Sequence, residues 1–88
     1  MAIDIEALMD KAEDKILANL PKNCCLDDVA WGDGCFRIPV YRIKNNKLSE
    51  LPWMAFRFSV SKYEDEEENL ERLDWELDHF IDDLKLNH

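Results

Sequence analysis

Glycine is almost missing from this chain: two of 88 residues, Gly32 and Gly34, both in one short stretch. A glycine-rich phosphate loop is therefore excluded. No apolar run approaches the roughly 20 residues that a membrane-spanning helix needs. The first residues, Met1-Ala2-Ile3-Asp4-Ile5-Glu6, carry neither the basic nor the apolar region of a secretory signal. Repeats and low-complexity linkers are absent too. Cysteine is limited to Cys24, Cys25 and Cys35, an odd number with two members adjacent. An extracellular disulfide framework has an even, spaced set, so these read as reduced thiols in a cytoplasmic protein.

Little in the chain supports catalysis or a cofactor. No Cys-x-x-Cys pair exists, and adjacent cysteines make poor joint ligands, so a metal held by the cysteines with His79 or His88 is not expected. A cysteine nucleophile needs a nearby base, and those two histidines are the only ones. The acids lack the Asp-x-Asp-x-Asp-Gly pattern of a calcium loop. Surface carboxylates also lack the burial that separates an acid from a base. The expectation is a protein that is not an enzyme and takes no cofactor or metal.

Positive charge is scarce: 11 Lys and Arg stand against 20 Asp and Glu, a net charge of -9. Direct binding to nucleic acid or to an anionic membrane is disfavoured, since both need Lys and Arg to neutralise phosphate. A basic protein surface is the charged partner this balance suits.

What is present is one small domain over residues 1–88. Apolar residues make up 47% of the chain, enough for a packed globule. Residues 4–20 read as an amphipathic helix, with Ile5, Leu8, Met9, Ala12, Ile16 and Leu20 in one stripe. Asp4 suits the N-cap, Ile3 with Leu8 suits a hydrophobic staple, and Pro21 ends the helix. Residues 26–60 read as β structure. Trp31-Gly32-Asp33-Gly34 and Lys44-Asn45-Asn46-Lys47 mark turns, with Pro52 implying an irregular connection after the second. A short strand over 26–31 precedes one over 35–43, where Phe36, Ile38 and Val40 alternate with Arg37, Pro39 and Tyr41. A third has Met54, Phe56, Phe58 and Val60 alternating with Trp53, Ala55, Arg57 and Ser59. Pro39 cannot donate to a ladder, which predicts a free edge or a bulge there. A helix over about 62–86 follows, with a capping box from Ser61 and Glu64, a core stripe of Leu70, Leu73, Leu77, Phe80, Ile81 and Leu84, and Asn87 at its end. The fold class is α+β, order α-β-β-β-α, an antiparallel sheet with both helices on one face.

The charge is concentrated. Residues 64–85 hold eleven acids against Arg72 and Lys85, which is the whole net charge, while the other positions balance at nine and nine. A helix of that length spans roughly 33 Å, or one carboxylate per roughly 3 Å, close to the phosphate spacing along one DNA strand. A charge run is commonly just a solvated helix face. Glu64 to Glu68, however, is a block of five like charges, more than solubility requires. At 100° per residue Trp75 falls about opposite the core stripe, among Glu68, Glu71, Asp78 and Asp82, with His79 one turn on. The alternatives for Trp75 are a binding anchor inside a polar rim or packing against the 22–31 segment.

The opposite sheet face is expected to carry Arg37, Tyr41, Trp53 and Arg57, the composition of a second interface. The arginines stacking on the rings is the plainer alternative. Single-stranded RNA on this face conflicts with the negative field and the lack of an RNP-type run.

In physical type, a small domain with its negative charge on one helix resembles the compact acidic inhibitors that phages and mobile elements encode. Anti-restriction and anti-CRISPR proteins and other DNA mimics belong to that type. The resemblance rests on composition and charge layout. It implies an inhibitor that blocks a basic, nucleic-acid-binding protein surface through the acidic helix. The alternative is a structural subunit that forms a homodimer through its open sheet face and the edge near Pro39.

Overall fold

The computed structural model describes residues 4–87. The staple position Ile3 and the terminal His88 lie outside them. Helix α1 (Ile5–Ala18) starts where Asp4 accepts a hydrogen bond from the Ala7 backbone N–H at 3.2 Å. It ends at Asn19, whose side-chain amide donates to the Lys15 carbonyl. Leu8, Met9, Ala12 and Ile16 are its buried stripe, as their spacing implies.

Five strand segments follow: β1 (Cys24–Leu26), β2 (Ala30–Gly32), β3 (Cys35–Lys44), β4 (Lys47–Leu48) and β5 (Met54–Ser59). All pairings are antiparallel and all run through β3. The single short strand expected over 26–31 is two strands, and Pro39 explains why. The Gly34 and Val40 carbonyls accept from Val60 and Trp53, so even-numbered β3 residues turn their backbone groups towards β5. The odd-numbered ones face the other edge, where the Ile43 N–H donates to the Asn23 carbonyl. Continuing the β1 register would set residue 27 against Pro39, which has no N–H to give. Instead the register slips by one residue between Leu26↔Val40 and Ala30↔Arg37, with Asp28 at a φ of 54°. The result is a bulge, which lets a proline sit in a central strand.

Both expected turns form two-residue loops. Asp33 and Gly34 have φ of 52° and 77°, and Asn45 and Asn46 have φ of 54° and 63°. Left-handed backbone at both central positions is the hairpin turn whose twist matches that of the flanking strands, and Asn, Asp and Gly tolerate it best.

Helix α2 (Glu66–Leu86) begins later than residue 62. The cap is Asp65 with Glu68, a reciprocal capping box, in place of Ser61 with Glu64. Asn69 fixes this choice. Fully buried, it accepts from the Ser61 N–H at 2.9 Å and donates to the carbonyls of Ser61, Glu64 and Asp65. Those bonds hold 61–65 as a loop across the helix start. At the other end the Asn87 N–H donates to the Asp83 carbonyl, and Arg42 donates to the Asn87 carbonyl.

The fold class is α+β with both helices on one sheet face. Phe36, Ile38, Val40, Phe56 and Phe58 meet the α1 stripe and Leu73, Leu77, Phe80 and Leu84 of α2. The Phe56 and Phe80 rings pack edge to face at 5.4 Å. No helix among the described residues is long and apolar enough to cross a membrane.

Candidate functional site

The buried stripe of α2 fixes its other side towards solvent. Glu68, Glu71, Trp75, Asp78, His79 and Asp82 are all exposed there, along more than three turns. Trp75 remains 63% exposed, so it does not pack into its own domain. Its ring centroid lies 4.1 Å from that of His79, and His79 Nδ1 is 2.9 Å from the Trp75 carbonyl oxygen. A carbonyl can only accept, so Nδ1 carries the hydrogen. Trp75 and His79 face a shallow groove whose other wall is Ala55 and Arg57 of β5, not the 22–31 segment.

The acids of α2 fall into two groups. Lys11 and Lys15 of α1 reach across to Asp74 and Asp78, with Lys15 Nζ 2.7 Å from Asp78 Oδ1. Arg72 binds Glu64 at 3.0 Å and Glu76 at 2.9 Å, and its guanidinium lies over the Phe58 ring. These cations tie α2 to α1 and to β5. Glu66, Glu67, Glu71, Asp82 and Asp83 have no ion-pair or side-chain hydrogen-bond partner among the described residues. Glu68 serves the capping box. Of the five residues expected to bind a partner, Asp78 is thus already paired, while Glu71 and Asp82 keep their charge free beside Trp75.

The second expected interface changes in composition. Trp53 leaves the outer sheet face. Its N–H donates to the Val40 carbonyl although Val40 is partnered by Met54, so two consecutive residues oppose one. This bulge breaks the alternation and turns Trp53 to the helix side, against the core and beneath Arg42 at 4.1 Å. Tyr41 stays on the outer face but is only 8% exposed, and its hydroxyl donates to Asp28 Oδ2 at 3.0 Å. That bond, then burial, then the charges of Asp28 and Asp27 raise its pKa, while Arg37 opposes them.

Arg37 and Arg57 remain, directly opposite each other in the β3–β5 register. Since even-numbered β3 residues make the ladder bonds, this is a non-hydrogen-bonded pair, the closer kind, with Cα atoms about 4.5 Å apart. Neither guanidinium has a hydrogen-bond or ion-pair partner among the described residues, and Arg37 Nε is buried and unbonded. Like charges placed this way cost up to about 1 kcal/mol.

The thiols are free, Cys24 and Cys25 half-buried and Cys35 exposed, the last donating to the Gly32 carbonyl. Burial raises the Cys24 pKa, the wrong direction for a nucleophile. No group of three or more metal-ligating side chains gathers among the described residues. The buried Asn69 escaped the sequence reading because an asparagine inside an acidic block gives no sign of burial. Compared with protein families, curated proteins and solved structures, the chain matches none.

Proposed function

We propose that this is a non-catalytic binding protein whose α2 docks on a basic, nucleic-acid-binding protein surface and blocks it. The observation that carries the reading is Trp75: a large aromatic side chain left in solvent, in tilted contact with His79, between unpaired carboxylates of Glu71 and Asp82. Exposure of such a ring does nothing for its own fold, whereas tryptophan inside a polar rim is a frequent binding anchor. The free acids at both ends of the stripe supply the steering field and the specificity for a basic partner. In physical type this is the strategy of a DNA mimic, as in the anti-restriction and anti-CRISPR inhibitors of phages.

The test is capture from a lysate of the source organism on immobilised wild type and Trp75→Ala, with elution by duplex DNA. A discrete basic protein that DNA displaces, and that Trp75→Ala fails to retain, is the expected result. Equal retention by both proteins, or a partner indifferent to DNA, overturns the reading.

Self-association through the outer sheet face finds less support. The edge at Pro39 is covered by β1 and β2, Tyr41 is buried, and Trp53 sits on the helix side. Two such faces in contact would gather four guanidiniums, two from each copy.

A further inference from the structure

The outer face of the sheet holds a depression of about 420 Å³ with no residue of α2 in its lining. Ala30, Gly32, Cys35 and Ser59 are among the residues that line it, together with both Arg37 and Arg57. The registers put these six residues on one face, because Ala30 and Gly32 pair with Arg37 and Cys35, which in turn pair with Arg57 and Ser59. Small side chains there leave the volume open, and a Cβ built on Gly32 meets nothing within 4 Å. The size falls in the range of small-molecule sites, which join an apolar lining to a few polar groups.

The charge is what the fold leaves unexplained. Of four arginines, Arg42 is stacked on Trp53 and bonded to Asn87, and Arg72 is bonded to Glu64 and Glu76. In a chain of twenty acids, the other two guanidiniums stand opposite each other with no hydrogen-bond or ion-pair partner among the described residues, one with a buried, unbonded Nε. An oxyanion between them removes the repulsion and accepts from both forks. We propose that this depression binds a small organic anion, its carboxylate or phosphate held by Arg37 and Arg57 and its apolar body over Ala30 and Gly32. Arg57 also walls the groove beside Trp75 and His79, so this site borders the α2 surface proposed to bind a partner.

Benzoate and phenyl phosphate, which share the oxyanion on an apolar ring, are the probes. Each is titrated into the full chain at constant ionic strength, following the Gly32 and Cys35 amides and the arginine Nε–H signals by NMR. Saturable shifts with either probe are expected, and which probe binds identifies the carboxylate or the phosphomonoester. Arg57→Gln weakens that binding about tenfold or more, the loss of one charge-assisted bond. Gly32→Leu, which keeps both arginines and fills the depression, abolishes it while the remaining amide spectrum keeps its native pattern. Shifts that never saturate and equal those given by chloride, or binding unchanged in both variants, overturn the proposal.

Discussion

The Trp75 indole and the His79 imidazole lie one turn apart on α2 with their ring centroids 4.1 Å from each other and their planes tilted by 41°. The Nδ1 bond to the Trp75 backbone carbonyl fixes the imidazole, and the ring contact restricts the indole without burying it. An ordered aromatic on a surface loses less freedom when a partner closes over it.

Trp75→Ala therefore separates folding from binding. Stability in urea changes by no more than about 0.5 kcal/mol, the usual range for a surface position. Affinity for the partner falls by about 2 kcal/mol or more. A lowered urea midpoint with unchanged affinity reverses the assignment and makes Trp75 a folding residue. Partner affinity also drops steeply with added salt if Glu71 and Asp82 steer the encounter, since both are exposed to screening.

Asn69 is expected to be the most sensitive polar position. It accepts from Ser61 and Arg72 and donates to three carbonyls of the 61–65 loop, with no accessible surface of its own. Asn69→Ala leaves the Ser61 N–H unbonded in a part-buried setting and costs about 2–3 kcal/mol in urea unfolding. Proteolysis should then cut first within 61–65. A variant as stable as wild type, with that loop still protected, would show that the cap at Asp65 holds the segment unaided.

These residues also show what a sequence can and cannot express. The stripes of both helices, the two left-handed turns and the exposed position of Trp75 follow from local spacing, because each is decided within one element. Pro39 announced a disturbed ladder for a local reason as well, its missing N–H. The start of α2 was ambiguous, since Ser61 with Glu64 and Asp65 with Glu68 both satisfy the same capping pattern. Only burial of Asn69 against the loop separates them. The ion pairs from Lys11 and Lys15 to Asp74 and Asp78 join residues some 60 positions apart, so no spacing reveals which acids stay free. Unbroken alternation misplaces Trp53, because the bulge opposite Val40 violates it, whereas Tyr41 keeps its expected face and is buried there with its hydroxyl on Asp28 of the other bulge.

The cross-strand arginines give a prediction in stability alone. Arg57→Gln removes one of two facing charges while its neighbours keep their packing, so the variant is more stable than wild type by up to about 1 kcal/mol. The gain shrinks as salt screens the wild-type repulsion. Thermal melts of both proteins at low and high ionic strength measure it. A destabilised variant at low salt would mean that the Arg57 stem contributes more by packing than its charge costs.

Tyr41 supplies the pH dependence. Its hydrogen bond to Asp28 is the largest cause of a raised pKa, followed by burial and the nearby carboxylates. A phenol whose folded-state value exceeds the unfolded one holds its proton more tightly when folded. The stabilisation is complete below the unfolded value of about 10 and is lost as pH rises through the folded value. Asp28→Asn isolates the cause. Asparagine accepts the left-handed backbone that residue 28 adopts, at a φ of 54°, and still offers a carbonyl oxygen to the hydroxyl, but it carries no charge. In a Tyr63→Phe background, where Tyr41 alone gives the tyrosinate absorbance, the titration midpoint moves down in Asp28→Asn and the alkaline loss of stability begins at lower pH. An unmoved midpoint would assign the shift to burial beneath the bulge instead of to the Asp28 carboxylate.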